Sequence, residues 1–167
     1  MNILIVGAGK VGSTLADYLS RENHNVTIID NDDEAIHRAS DTLDVMCSKG
    51  PGAAPSVLRE GGAGEADLVL AVCDGTQLLT EEDHDLLREA LAQADTILLA
   101  NKRDLPDFAL PQPAANDAPN TLTVVPLSAK TGDGLDTLET TLAQRAETLL
   151  PQAAQSAAGE LLTNQRQ

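Results

Sequence analysis

A short apolar run, Asn2-Ile-Leu-Ile-Val6, passes directly into Gly7-Ala-Gly9-Lys-Val-Gly12, and an apolar-periodic segment follows. This restricts the fold more than any other feature of the chain. Three glycines at that spacing suit a strand that turns sharply into a helix. The first permits the turn, the second lets backbone approach a ligand, and the third lets helix and strand pack closely. A second apolar run, Val26-Thr-Ile-Ile-Asp30, ends in an acid 18 residues after Gly12. The pattern is that of a dinucleotide-binding strand–loop–helix–strand unit. Helix N–H groups would face a pyrophosphate, and the Asp30 carboxylate would accept from an adenosine ribose.

Four further apolar runs follow: Val45–Cys47, Leu68–Val72, Ile97–Ala100 and Leu122–Val125. Most of the six are continuously apolar rather than alternating, as in parallel strands covered on both faces. Helical patterns fill the gaps. Lys10–Arg21 places Val11, Leu15 and Leu19 on one face. Glu34–Ser40 is entered from Asp32 or Asp33, and Pro55–Glu60 gives one or two turns with proline at the first position. Thr80-Glu-Glu-Asp83 reads as a capping box opening Glu81–Gln93. Leu135–Leu150 is the last helix, ended by Pro151. The expected fold is a three-layer α/β/α, doubly wound, Rossmann-like domain. Its six parallel strands take the order 3-2-1-4-5-6. Residues 1–150 form one domain of two halves, 1–74 and 75–150. Residues 103–120, with four prolines, form an irregular connection, and residues 151–167 form a tail, either a short helix or frayed.

The net charge of −15 is spread evenly, with 12 acids and 5 bases in residues 1–74 and 14 and 6 in 75–167. Such a surface repels nucleic acid and anionic membranes. Tyr18 and Phe108 are the only aromatics, too few for a base-stacking platform. The start at Met1 leads straight into a core strand, and no 18-residue apolar run occurs. A cytoplasmic protein without membrane insertion is expected. Cys47 and Cys73 fall on strands separated by two others. At about 4.8 Å per strand they lie roughly 14 Å apart, too far for a disulfide. His24, His37 and His84 are expected on exposed turns or helices. The acids of Asp30–Glu34 read as a ribose acid followed by a helix N-cap rather than as a metal site.

Residues 1–74 resemble the N-terminal half of the NAD-binding domain of Trk-type potassium-uptake regulators, the RCK or TrkA-N family. The likeness runs through the Gly7–Gly12 loop, Val26–Asp30, Gly50-Pro-Gly-Ala53, Val57-Leu-Arg-Glu60-Gly and Ala66-Asp-Leu-Val-Leu-Ala-Val72. It implies a bound dinucleotide, NAD, near Gly7, Ala8, Gly9, Lys10, Val11, Gly12, Asp30, Asn31, Cys73 and Asp74. Pro51 stands where the family often has a polar residue near the adenine.

Residues 75–167 resemble the second half of a G domain of the MnmE-type tRNA-modifying GTPases. Asn101-Lys-Arg-Asp104 matches the guanine-reading NKxD motif, and Ser128-Ala-Lys130-Thr-Gly-Asp-Gly134 matches the loop that follows it. Thr163-Asn-Gln-Arg166 is similar to the segment leaving that domain. The resemblance implies that Asp104 reads guanine N1 and N2, and that Asn101 braces the loop. The Lys102 stem would cover the base face, the Ala129 N–H would meet O6, and Ser128 and Lys130 would complete the remnant. The phosphate-gripping half of a GTPase is missing. Gly7–Gly12 is followed by Ser13-Thr14 rather than Lys-Ser/Thr, and no D-x-x-G follows a strand in residues 1–75. GTP hydrolysis is not expected. Joining the halves at Val72–Asp74 keeps the fourth strand common to both, which suggests a constructed chimera; an unusual natural regulator is the alternative.

Three functions therefore stand side by side. One is a non-catalytic module binding NAD(H) or another adenine nucleotide. Another is an enzyme, either an oxidoreductase or a degenerate GTPase. A third is a designed fold that retains no ligand. No added domain supplies a substrate pocket at the nicotinamide end, which favours the binding module. Oligomeric state is not legible.

Overall fold

The structure is a computed structural model. It describes residues 1–113 and 122–164, with side chains as far as residue 149. Pro119 of the expected irregular connection and the Gln165-Arg166 end of the last G-domain segment lie outside the described residues. Two compact units are present, Met1–Gly134 and Leu135–Gln167.

The first unit holds a six-stranded sheet: β1 Asn2–Val6, β2 Asn25–Asp30, β3 Met46–Lys49, β4 Leu68–Asp74, β5 Asp95–Asn101 and β6 Thr123–Pro126. Every pair is parallel, and the order is β3-β2-β1-β4-β5-β6. This is the expected doubly wound arrangement. Parallel neighbours require crossovers, and the chain supplies α1 Lys10–Arg21, α2 Asp33–Thr42, α3 Pro55–Glu60 and α4 Glu81–Gln93.

The continuous apolar runs are explained by burial on both faces of the sheet. Leu4 and Val6 pack with Leu58 after the start of α3 and Ala90 of α4. Ile5, on the opposite face, lies beneath Gly12 of α1. Ile3, Leu4, Ile5, Leu68, Val69 and Leu70 are all essentially inaccessible. The edge strands β3 and β6 are only half-buried, and correspondingly less apolar.

Local sequence accounts for the helix starts. Asp32 caps α2 by accepting the N–H groups of Glu34 and Ala35. Thr80 and Asp83 form the expected reciprocal capping box on α4.

The second unit contains α5, Leu135–Asn164. It departs from expectation, because the helix continues through Pro151. A proline removes one intrahelical bond and clashes with the preceding turn, at about 3 kcal/mol. Good helix formers such as Leu149, Leu150, Ala153 and Ala154 flank it on both sides. Proline is a penalty on a helix, not an absolute stop.

Both thiols are free and half-buried. Burial, reinforced by the Asp83 and Asp74 charges, pushes the Cys73 thiol up to about 12, so it stays protonated. Two histidines correct the sequence expectation. His37 is exposed, but His24 and His84 are half-buried. His84 lines a cleft with Gly75, Leu79, Ala109 and Pro111, which loop packing rather than helix periodicity creates.

Candidate functional site

All six strands point the same way, so their C-terminal ends share one edge of the sheet. The strand order reverses between β1 and β4, which opens a crevice there. The Gly7–Gly12, Asp30, Cys73–Asp74, Asn101–Asp104 and Ser128–Lys130 groups lie along that edge, at strand ends, in the loops that follow them or at a helix start.

The loop after β1 has the geometry its glycines suggest. Gly7 takes φ +117°, a conformation that L side chains rarely adopt, and its N–H donates to the Ile29 carbonyl at 2.8 Å. Gly12 faces the Gly7 carbonyl so closely that an added Cβ would lie 1.6 Å from that oxygen. Gly9 is the N-cap of α1, and no side chain caps the helix. An added Cβ at Gly9 would meet nothing within 4 Å. First-turn N–H groups of a helix have no intrahelical acceptor. Here they open onto free space at the positive end of the helix dipole. The Ala8 and Val11 side chains are buried, so these residues can offer a ligand only their backbone. Lys10 and Asn31 are exposed.

Asp30 joins two loops. Its Oδ2 accepts the Ala8 N–H at 2.6 Å, and its Oδ1 accepts the Asp32 N–H at 2.8 Å. Each carboxylate oxygen has two lone pairs, so both retain capacity for a hydroxyl donor. The N–H bonds fix the carboxylate beside the glycine loop.

The loops after β5 and β6 interlock. Asn101 Oδ1 accepts the Ala129 N–H at 3.1 Å. Ser128, fully buried, donates its hydroxyl to Asp104 Oδ1 at 2.7 Å and accepts the Thr131 N–H. The Ser128 hydroxyl holds the Asp104 carboxyl below the usual range, and the Lys130 charge adds to this. Asn101 therefore braces the loop as the resemblance implies. The Ala129 N–H is already occupied by that brace.

Sequence reasoning missed the connection between the two clusters. Lys102 adopts φ +71° and places Nζ 2.6 Å from Asp74 Oδ2. The Thr76 N–H and hydroxyl both donate to Asp74 Oδ1. The Lys102 head thus goes to the end of β4. The Asp-x-Thr turn is visible in the sequence, but the lysine partner is not, because it arrives from the neighbouring strand. Lys102 first, then Thr76, hold the Asp74 carboxyl at about 2, against an ordinary 3.8. A depressed folded-state value stabilises the fold above the unfolded value, and the contribution is lost as pH falls through the folded one. Asp74→Asn is therefore expected to be slightly less stable than the parent at neutral pH. The deficit should be at most a few degrees in Tm, because both side chains are substantially exposed. It should close between pH 3.8 and about 2. Thermal melts across that range check this; a pH-independent difference would mean that the pair does not stabilise the fold.

A depression of about 760 Å³ lies at the other end of the strands, lined by Asn2, Asn25, His24 and Glu65 among others. Gly61 and Gly62, which line it, follow the C-terminal end of α3 rather than opening a helix. The donors of the Gly7–Gly12 loop, rather than volume, mark the candidate site. Among the described residues no group of three or more His, Cys, Asp or Glu side chains is placed to hold a metal ion. Among them also, no helix is long and apolar enough to cross a membrane.

Known proteins resemble the chain in two ways. The Trk system potassium uptake protein TrkA of Halomonas elongata is 42% identical over 72 residues, covering 43% of this chain and 16% of that protein. The tRNA modification GTPase MnmE of Chloroflexus aurantiacus is 44% identical over 78 residues, covering 47% of this chain and 17% of that protein. The chain thus spans only about a sixth of the length of these curated relatives. Among solved structures, the TrkA-N domain of the inner membrane protein ybaL from Escherichia coli shares the fold. Its TM-score is 0.54 at 16% identity, over 86% of this chain and 95% of that one. The TrkA-N domain family matches residues 3–104, well over half of the chain, and the match takes in the glycine loop, Asp30, Asp74 and the Asn101–Asp104 turn. On that match, the chain belongs to the TrkA-N domain family.

Proposed function

We propose that this chain is a non-catalytic, cytoplasmic nucleotide-binding regulatory module that holds NAD(H), or its adenosine diphosphate part, at the Gly7–Gly12 loop. The observation that carries the reading is the pairing of an open, uncapped α1 N-terminus at Gly9 with a carboxylate fixed beside it. Asp30 is held there by the Ala8 N–H at 2.6 Å. The N–H groups of Gly9, Lys10, Val11 and Gly12 would receive the pyrophosphate. Asp30 would accept from the adenosine ribose, with Asn31 at its rim. Cys73 and Asp74 would face the second half of the dinucleotide across the crevice. NAD is preferred to NADP, since a carboxylate at Asp30 repels a 2′-phosphate.

Membership of the TrkA-N family and the likeness to a potassium-uptake protein support a regulatory role. At the crevice Asp74 is engaged by Lys102 and Thr76, and the Cys73 thiol stays protonated, which supports binding without chemistry.

The Asn101, Asp104, Ser128 and Ala129 cluster supports a second, weaker reading as a guanine-binding remnant. Most of a guanine nucleotide's grip comes from its phosphates, and no lysine-bearing phosphate loop is present. Base contacts alone give an affinity of about millimolar. The same cluster, with the MnmE likeness, supports a hybrid origin of the chain. The TrkA-N match extends through residue 104, past the expected junction at Val72–Asp74.

Calorimetric titration with NAD⁺, ADP-ribose and GDP tests the reading. NAD⁺ and ADP-ribose are expected to bind, and to bind more tightly than GDP. A GDP affinity equal to or above that for NAD⁺ would transfer the function to the Asn101–Lys130 cluster.

A further inference from the structure

The end of β3 brings a cation to the ribose acid. Asp30 and Lys49 are register partners across β2 and β3, and the Gly50 N–H donates to the Asp30 carbonyl at 2.9 Å. Paired residues of parallel strands emerge on the same face of the sheet, about 4.8 Å apart. The four-carbon Lys49 stem therefore starts beside the Asp30 carboxylate, where the adenosine ribose would lie.

Its head does not stay there. Lys49 Nζ sits 2.7 Å from Asp33 Oδ2, at the first turn of α2. Both side chains are more than half exposed. A pair in water is held weakly and exchanges partners readily. The surroundings leave Lys49 few other choices of role. Asp32 is committed to capping α2, and Arg38 of that helix is turned toward Glu34 at 3.7 Å.

We propose that Asp33 sets the choice between NAD and its 2′-phosphorylated form by holding Lys49 away from the 2′ position of the adenosine ribose. This rests on the reading that the ribose lies at Asp30. NADP-selective sites place a cation close to the 2′-phosphate. Lys49 is such a cation by position, and Asp33 withdraws it while adding a second negative charge near Asp30. The discrimination thus has two parts: repulsion from Asp30, legible in the sequence, and sequestration of Lys49, which only the register reveals.

Three variants separate the parts: Asp33→Asn, Lys49→Met and the double variant, each titrated with NAD⁺ and NADP⁺. Asp33→Asn is nearly isosteric and exposed, and Asp32 still caps α2, so folding is preserved; a thermal melt checks this. In Asp33→Asn, NADP⁺ affinity should rise about tenfold while NAD⁺ affinity stays within about twofold. The double variant should lose most of that gain, and Lys49→Met alone should bind NADP⁺ no better than the parent. An equal gain with and without Lys49 would reduce the effect to removal of one charge and overturn the proposal. An unchanged NADP⁺-to-NAD⁺ ratio in Asp33→Asn would overturn it as well, with the dinucleotide reading intact. Failure of the parent to bind NAD⁺ and ADP-ribose would sink the dinucleotide reading and this proposal together.

Discussion

Replacing Gly12 by alanine is expected to cost about 3 kcal/mol or more of folding stability, a large share of the 5–15 kcal/mol available to a domain. The reason is steric. The new Cβ would lie 1.6 Å from the Gly7 carbonyl oxygen and 2.8 Å from its carbon. Neither is the free end of a side chain. Gly7 is tied by its N–H to the Ile29 carbonyl, and Gly12 belongs to a helix whose Leu15, Ala16 and Leu19 are buried. Relief therefore requires α1 to lift from β1, which would expose part of the core. Denaturant unfolding of Gly12→Ala beside Gly9→Ala measures the effect. At Gly9 the added methyl meets nothing within 4 Å, so a change within about 0.5 kcal/mol is expected. If Gly12→Ala were as stable as Gly9→Ala, α1 and β1 would not pack as described.

Gly9→Val should have the opposite profile: stability close to the parent, and dinucleotide affinity reduced at least about a hundredfold, or about 2.7 kcal/mol. Gly9 sits at φ −61°, ψ −173°, an extended conformation open to any residue. Its missing side chain leaves empty the space in front of the α1 N–H groups. Valine would occupy the volume that a pyrophosphate needs, and would separate the phosphates from their donors. Titration of NAD⁺ into folded Gly9→Val is the measurement. An unchanged affinity would place the ligand elsewhere on the domain. Comparing the two glycines separates packing from recognition, since one contacts backbone and the other contacts nothing.

Much of this molecule was legible in one dimension. A parallel, helix-covered sheet followed from six apolar runs alternating with helices, because such a sheet hides both faces of its strands, and the glycine loop pointed to the doubly wound order. The glycine loop, Asp30 at the end of β2, the Thr80–Asp83 box and the Asp32 cap involve residues that are local in sequence or belong to one strand–helix–strand unit. Covalent proximity limits such groups to few arrangements, so residue types at fixed spacing predict them. A bracing Asn101 was expected through a resemblance, but its partner, the Ala129 N–H that the resemblance gave to guanine O6, was not.

Other features depended on the assembled sheet. The Lys102–Asp74 pair joins residues 28 positions apart that meet because β4 and β5 are neighbours, with Asp74 and Asn101 in register. Lys49 reaches the surroundings of Asp30 only because β3 pairs with β2. The continuation of α5 through Pro151 went against a local rule whose cost the flanking residues can outweigh. Sequence alone determined which elements form and where the glycine loop stands. The tertiary structure decided which charges share a cleft, because long flexible lysines choose partners by strand order and register, and neither is written in the residues adjacent to them.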